Sequence, residues 1–416
     1  MLGIKFIRQN VEEVKKSIAD RGMNVDVDEL LGLDDKRRVL IQKIGESRAV
    51  RNKTSNTKPS PEDIARMRAL GDEISKMEKE LKDMEGYYSE LLRKVPNMIH
   101  PDSPRGGEEA FRVVAEFGKI PKFDFQPKNH EELMLQLNLI DFERGTKVAG
   151  NKFFFSKGDL VRLNQALISY GIEIVTKHGY ELMETPDLAK DEILQGIGFS
   201  PRGPETQTYS IENSDLSLIG TAEVTVGGYH AGEILDLEAG PKKYVALSHC
   251  FRTEAGAYGR IGKGTYRVHQ FTKLEMFIYC KPEESEKMHE EILSIEKEIA
   301  DGLELPYRVI DIASGDLGAP AYRKYDIEAW MTMKGDKGGY GEITSTSNCT
   351  DYQAQRLNIR YRKSNNETEF AHTLNGTAVT SSRGPITIFE NFQTKKGTIK
   401  IPRAIQKYMN GLKEIK

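Results

Sequence analysis

Residues 249–277 read H-C-F-R-T-E-A-G-A-Y-G-R-I-G-K-G-T-Y-R-V-H-Q-F-T-K-L-E-M-F. On either side, residues 244–252 and 267–279 alternate apolar and polar side chains, as strands with one buried face do. Between them Gly256, Gly259, Gly262 and Gly264 alternate with Arg260 and Lys263, too flexible for a helix and too basic for an unpaired core. The pattern predicts two strands joined by a long hairpin loop. Arg252 and Glu254 share one face at period two, and Arg267, Phe271 and Glu275 share another. Spacing alone leaves two readings open. One is a solvated hairpin face with cross-strand ion pairs. The other is a polar floor that grips an anion, since guanidinium is planar, always charged and able to bind phosphate oxygens in pairs. Phe271 would then stack on a flat base.

Working outward, composition narrows the field. The chain has 416 residues, 38% of them hydrophobic, enough for two or three domains with their own cores. No apolar run approaches the roughly 20 residues of a membrane span. The first residues, M-L-G-I-K-F-I-R-Q-N-V-E-E-V, carry acidic side chains at once and lack a signal-peptide or transit-peptide pattern, so a cytoplasmic location is expected. Cys250, Cys280 and Cys349 are too scattered for a disulfide framework or a zinc site, and no zinc is expected. A net charge of −3 means that any binding of nucleic acid must come from local basic surface. Neither a P-loop, a Rossmann glycine pattern nor His-Glu-x-x-His occurs, so those chemistries have no motif support.

The N-terminal quarter differs from the rest. Residues 1–25 suggest a strand-like start and a short helix with Val11, Val14 and Ile18 on one face. Met67, Leu70, Ile74, Met77, Leu81, Met84, Tyr88, Leu91 and Val95 then recur at alternating steps of three and four, a heptad seam. An earlier, less regular stripe holds Leu33, Leu40 and Ile44, continued by Ser47 and Arg51. Pro59 and Pro61 separate the two. Two antiparallel helices in a coiled-coil hairpin follow, about 45 Å long at ~1.5 Å per residue. The ordinary role of such a hairpin is structural. Between residues 34 and 53, however, Lys36, Arg37, Arg38, Lys43, Arg48, Arg51 and Lys53 outnumber Asp34, Asp35 and Glu46, an excess suited to a phosphate backbone.

V-P-N-M-I-H-P-D-S-P-R-G-G, residues 95–107, breaks the helical pattern. The boundaries expected are an N-terminal domain at 1–100, a linker at 101–129 and a larger domain at 130–416. In the last, a long amphipathic helix spans 159–178, with Leu160, Leu163, Ala166, Leu167, Tyr170, Ile174 and Val175 inward, followed by a short strand and Pro186. G-T-A-E-V-T-V-G-G-Y-H at 220–230 precedes the opening stretch, and a helix over 282–302 follows it. Strands are predicted at 307–312, 325–331 and 340–347, with Thr350 or Asp351 capping the helix after the last. Many strands among few helices predict an α+β fold, an antiparallel sheet with helices packed on it.

The opening stretch resembles motif 2 of the class II aminoacyl-tRNA synthetases, and F-R-T-E-A-G with R-V-H-Q-F-x-K-x-E is similar to the seryl-tRNA synthetase version. The likeness covers essentially the whole chain. The helix at 159–178 with its strand and proline is similar to motif 1, and H-T-L-N-G-T-A-V-T-S-S-R at 372–383 to motif 3. Residues 130–163 and 314–330 also match the family's pattern. The resemblance implies a class II catalytic domain carrying a helical arm, acting as a serine–tRNA ligase. Such an enzyme makes seryl-adenylate from serine and ATP, then charges serine tRNA, and selenocysteine tRNA where one is present. It further implies a homodimer built on motif 1, an arm that reaches the long variable arm of the tRNA, and Mg²⁺ with ATP.

By motif position, the resemblance implies that Arg252 contacts the α-phosphate and the serine carboxylate, and Glu254 the adenine amino group. Arg267 and Arg383 would hold the γ-phosphate, with adenine on Phe271 and backbone groups near Val268. Thr253, His269, Gln270, Ile343 and Thr344 complete the expected ATP-binding set, and Glu342 and Ser345 match the Mg²⁺ pair. Thr221, Ala222 and Glu223 are expected in a loop at the serine ammonium group, and Glu275 and Thr377 at its hydroxyl. The loop at 255–266 would guide the tRNA acceptor end. Two departures stand out: Gly384-Pro385 directly after the motif 3 arginine, and Gln355 where the family commonly has arginine. A synthetase-like paralogue that loads an amino acid onto a carrier protein is the rival reading. Such a paralogue is expected to lack the arm.

Overall fold

A computed structural model describes residues 1–54, 60–199, 207–254 and 264–416. The chain divides into two compact units, Met1–Met98 and Ile99–Lys416.

The first unit is all helical among its described residues: α1 (Ile4–Gln9), α2 (Val11–Asp20), α3 (Val27–Thr54) and α4 (Pro61–Lys94). The strand expected at the start is therefore a helix; Ile7 turns inward from it to join Val14, Ile18 and Leu30 in a core that a strand's alternation would have split. Ser60 and Asp63 form a reciprocal capping box at the start of α4 and Pro61 occupies its first turn, a combination worth about 1 kcal/mol at a helix end. Along α4 the seam is visible as burial. Ile74, Tyr88 and Leu91 are buried and Met67, Leu70, Met77, Leu81 and Met84 half-buried, while most positions between them are exposed. Leu40 and Ile44 of α3, which packs along α4, are buried as well. Arg37 pairs with Glu85 at 3.2 Å and Arg48 with Glu78 at 2.6 Å, so numbers rise along one helix as they fall along the other, an antiparallel hairpin. The buried Asp34 carboxylate is tolerated because Arg8 reaches it at 2.6 Å. Arg37 and Arg48 are thus engaged inside the hairpin, whereas the exposed Lys36, Arg38, Lys43 and Arg51 make no ion pair among the described residues.

The second unit is built on an eight-stranded sheet. Its strands are β1 (Arg112–Phe117), β2 (Glu181–Glu184), β3 (Lys242–Phe251), β4 (Gln270–Cys280), β5 (Tyr307–Asp311), β6 (Arg323–Met331), β7 (Gly339–Asn348) and β8 (His372–Thr380). Their order is β1-β5-β6-β7-β8-β4-β3-β2, antiparallel throughout except for the parallel β2–β3 pair at one edge. The segment 101–129, expected as a linker, supplies the other edge: β1 lies within it and is held to β5, with Arg112 and the buried Asp311 paired at 2.6 Å. Four helices position the site: α5 (Asp159–Lys177), α6 (Ala222–Gly228), α7 (Ser285–Gly302) and α8 (Arg383–Phe392).

The sheet is α+β in the expected sense, with α5 and α7 packed against one face. Leu163 and Leu167 of α5 and Ile292 and Ile295 of α7 bury against Leu274, Met276 and Ile278 of β4. Each such side chain contributes about 1.5–3 kcal/mol on burial. Those β4 residues are the even-numbered ones. The odd-numbered Phe277 and Tyr279 point to the other face, into a second apolar cluster with Ala222 and Val226 of α6. Phe271, Lys273 and Glu275 share that odd-numbered register, so the strand changes from apolar to polar along a single face. The three cysteines are buried, and among the described residues no helix is long and apolar enough to cross a membrane.

Candidate active site

A cavity of about 320 Å³ opens on the polar part of the sheet face. Arg252 and Glu254 reach it from the end of β3, Tyr266, Arg267 and Val268 from the approach to β4, and Phe271 and Lys273 from β4 itself. Lys324 lines it from β6, Glu342, Ile343 and Ser345 from β7, Thr377 and Thr380 from β8, and Ser382 and Arg383 from the start of α8. Antiparallel register gathers residues that are far apart in sequence: Phe271 lies opposite Cys250, and Thr377 opposite Glu275, just before a register shift that ends at Val379.

Arg252 donates from Nε to the Gly220 carbonyl at 3.2 Å, and its guanidinium lies 5.2 Å from the centre of the Phe271 ring. Because β3 ends at Phe251, the period-two reading of Arg252 and Glu254 stops short of them. Glu254 instead adopts φ +52°, a left-handed conformation that costs a non-glycine residue of order 1 kcal/mol. Its carboxylate accepts a hydrogen bond from Arg267 Nη1 at 3.3 Å. Arg383 Nη1 lies 2.8 Å from Glu342 Oε1, and its guanidinium 4.8 Å from the Tyr266 ring centre. Burial alone would push the Glu342 carboxyl up, but Arg383, Lys324 and Arg252 bring it down to about 2, so it is ionised at neutral pH.

Deeper in, Lys273 Nζ lies 2.5 Å from Glu275 Oε2 and donates to Thr221 Oγ1 at 3.1 Å. Thr377 Oγ1 donates to Glu275 at 3.4 Å. Thr221 is not in a loop as expected but caps α6, accepting from the Glu223 N–H at 3.2 Å. Glu223 Oε1 accepts from Gln353 at 2.8 Å and Asn375 at 3.1 Å. Burial and the nearby Glu275 carboxylate push Glu223 up to about 7, against the opposing pull of Lys273.

The remaining expected residues are placed differently. Ala222 is wholly buried in the cluster around Phe277. Thr344 turns to the helix layer and donates to Glu296 of α7 at 3.0 Å. His269 stacks on Phe153 at 5.2 Å and bonds the Arg252 carbonyl, while Gln270 lines a separate, larger cavity. Thr253 donates its backbone N–H to the Gln207 carbonyl at 3.0 Å. Most of the 255–266 loop, residues 255–263, lies outside the described residues. Lys273, Lys324, Tyr266, Asn375 and Gln353 were not anticipated. Lys273 carried a signal, since it sits between Phe271 and Glu275 at period two, where a merely structural strand face would avoid a lysine. The departures have local accommodation: Pro385 falls in the first turn of α8, where its missing N–H is harmless, and Gln355 bonds Asp351 at 2.7 Å. That bond turns the Asp351 carboxylate back along its helix, which has Asp351 at its N-cap without a side-chain capping bond.

The arrangement separates two kinds of work. Arg252, Arg267, Lys324 and Arg383 surround a space suited to a polyanion, and behind its wall a polar cluster holds Thr221, Glu223 and Glu275, with Glu275 bonded to the cavity-lining Lys273 and Thr377 and Thr221 to Lys273.

Residues 207–392 match the model of the tRNA synthetase class II core domain (G, H, P, S and T), and residues 1–99 that of the seryl-tRNA synthetase N-terminal domain. A serine–tRNA ligase of Treponema denticola is 52% identical over 98% of both chains. Among solved structures, seryl-tRNA synthetase from Pyrococcus horikoshii complexed with ATP superposes with a TM-score of 0.90 at 37% identity, covering 100% of this chain and 99% of that one. Cytoplasmic serine–tRNA ligase from Naegleria fowleri in complex with AMP gives 0.84 at 32% identity, covering 98% and 96%.

Proposed function

Because the chain belongs to the seryl-tRNA synthetases, we propose that serine and ATP meet in the cavity between Arg252, Glu342 and Arg383. The reaction is that of an AMP-forming serine–tRNA ligase. A carboxylate oxygen of serine attacks the α-phosphorus, the bond to the β-phosphate oxygen breaks, and pyrophosphate leaves. No protein nucleophile is required; the work is positioning and charge stabilisation. The observation that carries the reading is the convergence of Arg252, Arg267 and Arg383 on one cavity whose wall also holds Lys273 and Thr377, both bonded to Glu275.

In this reading Arg252 bridges the α-phosphate and the serine carboxylate, and Arg267 and Arg383 hold the γ-phosphate. Glu254 accepts from the adenine amino group, and Phe271 with the backbone at Val268 supports the base. Glu223 and Thr221 receive the ammonium group. The Glu275 carboxylate and the Thr377 hydroxyl take the substrate hydroxyl, so alanine would leave buried polar groups unpaired, a penalty that in comparable sites reaches roughly 10⁴. An ionised Glu342 and the Ser345 hydroxyl line the same cavity, a donor pair that fits Mg²⁺, which binds through one or two carboxylates plus phosphate and water. When bound, the ion would offset phosphate charge. In the second step the terminal adenosine hydroxyl of the tRNA attacks the seryl carbonyl and AMP leaves.

The exposed cations of α3, Lys36, Arg38, Lys43 and Arg51, which make no ion pair among the described residues, support a tRNA-binding role for the arm. A homodimer fits the larger cavity of about 630 Å³, where Ile168 and Ile172 of α5 lie beside Phe153, Phe154 and Leu247. Near it Phe155, Val161 and Leu182 are exposed apolar side chains that a second copy would cover. A cytoplasmic location completes the reading. The carrier-protein alternative is not favoured, because the match to serine–tRNA ligases runs the full length, helical hairpin included.

The test is serine-dependent ATP–pyrophosphate exchange followed by charging of serine tRNA. Both are expected; exchange without charging would favour the carrier-protein alternative, and neither would refute the reading. A pH series adds a check on Glu223. Its carboxylate must be ionised to hold an ammonium group, and it takes up a proton as pH falls through about 7. The KM for serine is therefore expected to rise toward tenfold per pH unit below that point, and to become independent of pH in Glu223→Gln. A flat wild-type profile would remove Glu223 from the role.

A further inference from the structure

We infer that His130, which lies outside the three motifs and 135 residues before its partner Thr265, is a positioning residue that fixes the Tyr266–Arg267 wall of the ATP cavity. The inference rests on the reading of that cavity as the ATP site. His130 opens the short helix His130–Gln136 and its side chain is completely buried. Nδ1 lies 2.6 Å from Glu390 Oε1, and the Thr265 N–H donates to Nε2 at 3.2 Å. A backbone N–H can only donate, so Nε2 presents its lone pair and the ring proton sits on Nδ1, facing the carboxylate. Both ring nitrogens are used.

The neighbours of this pair all lead to the cavity. Gly264 has φ +58°, and a Cβ there would fall 2.2 Å from His130 Nε2, so the imidazole and the chain approach as closely as glycine allows. Thr265 Oγ1 donates to the Ser382 carbonyl at 3.1 Å, tying the same segment to the residue before Arg383. The second oxygen of Glu390, on α8, accepts from Thr332 Oγ1 and the Met333 N–H, both at 3.0 Å. One step further along are Tyr266 and Lys334, with the Lys334 ammonium 4.0 Å from the Tyr266 ring centre and Arg383 on the same ring. The histidine and its carboxylate therefore join three segments that deliver Tyr266, Arg267, Arg383 and Lys334. A satisfied core pair with no such role would affect folding stability alone.

The two amide replacements separate these roles in the full-length chain. His130→Asn keeps a donor near the Nδ1 position for Glu390 and removes the acceptor for Thr265, whereas His130→Gln places an amide near Nε2 and retains that acceptor. In serine-dependent ATP–pyrophosphate exchange, His130→Asn is expected to raise the KM for ATP about tenfold while the KM for serine stays within about twofold; His130→Gln should restore most of the ATP affinity. An unchanged KM for ATP in His130→Asn, or ATP and serine KM values that shift together with the thermal midpoint, would overturn the inference. Should His130→Asn fail to fold, Gly264→Ala, whose Cβ enters the space of Nε2, is expected to give the same ATP-selective rise, and equal shifts for both substrates would again overturn it. Arg383→Ala in the same assay keeps the premise separate: if it abolishes exchange while His130→Asn is silent, the positioning role falls and the site stands.

Discussion

Arg383→Ala is expected to abolish serine-dependent ATP–pyrophosphate exchange, by roughly 10³-fold or more, while the protein sediments as wild type does. In the proposed reaction Arg383 holds the γ-phosphate of the departing pyrophosphate, where negative charge builds up as the bond breaks; an arginine that stabilises transition-state charge in phosphoryl transfer is commonly worth about 10³ to 10⁵ in rate. Here Arg383 faces the cavity with its guanidinium against Glu342 at 2.8 Å and the Tyr266 ring at 4.8 Å. Removing it withdraws a cation from the polyphosphate and leaves Glu342 with Lys324 and Arg252 to hold it ionised. The fold should tolerate the change. The Arg383 backbone N–H keeps its bond to Thr380 at 3.2 Å, α8 keeps its buried Ile386, Ile388 and Phe389, and Glu342 is 38% exposed, so water takes over part of the lost pairing. Arg383→Lys should recover little, since one ammonium cannot reproduce a planar fork. Exchange within tenfold of wild type in Arg383→Ala would take this residue out of the chemistry.

Shortening the helical hairpin should have the opposite signature. With residues 38–84 replaced by a short Gly-Ser turn, exchange is expected to stay within about twofold and charging of serine tRNA to fall roughly a hundredfold or more, because phosphate contacts supply much of the affinity for nucleic acid. The cut is set by the structure: Arg37 and Glu85 are 3.2 Å apart across the hairpin, so the new turn spans neighbouring positions. Tyr88 and Leu91 stay with Leu30 in the first unit's core, and Arg37 stays 5.2 Å from the Tyr88 ring centre. Charging at the wild-type rate would refute the arm's role, and loss of exchange would mean that activation itself depends on the hairpin.

Periodic residues made most of this legible in advance. The seam from Met67 to Val95 specifies a helix face, and burial along α4 follows it. The period of two from Phe271 to Glu275 specifies one sheet face, and the cavity lies on it. Periodicity does not reveal where a strand ends. Arg252 and Glu254 lie beyond β3, and the positive φ of Glu254 is set by its surroundings. Nor does it reveal partners brought in by distant register. Lys324 enters from β6, Asn375 from β8, and His130 from a helix 260 residues before Glu390. Family resemblance supplied Glu342 and Ser345, which spacing alone would read as an exposed carboxylate and a strand-end hydroxyl. It also named Thr344, whose side chain the pleat turns away from the cavity toward Glu296.

The most direct test of the shared serine–ATP site is a crystal structure of the full-length chain with a non-hydrolysable seryl-adenylate analogue. The expected result places the phosphate-mimicking group at Arg252, adenine on Phe271 with its amino group at Glu254, the ammonium at Glu223 and Thr221, and the hydroxyl between Glu275 and Thr377. An analogue bound in the larger cavity beside Ile168 and Ile172, or bound here with its seryl group away from Glu275, would contradict it.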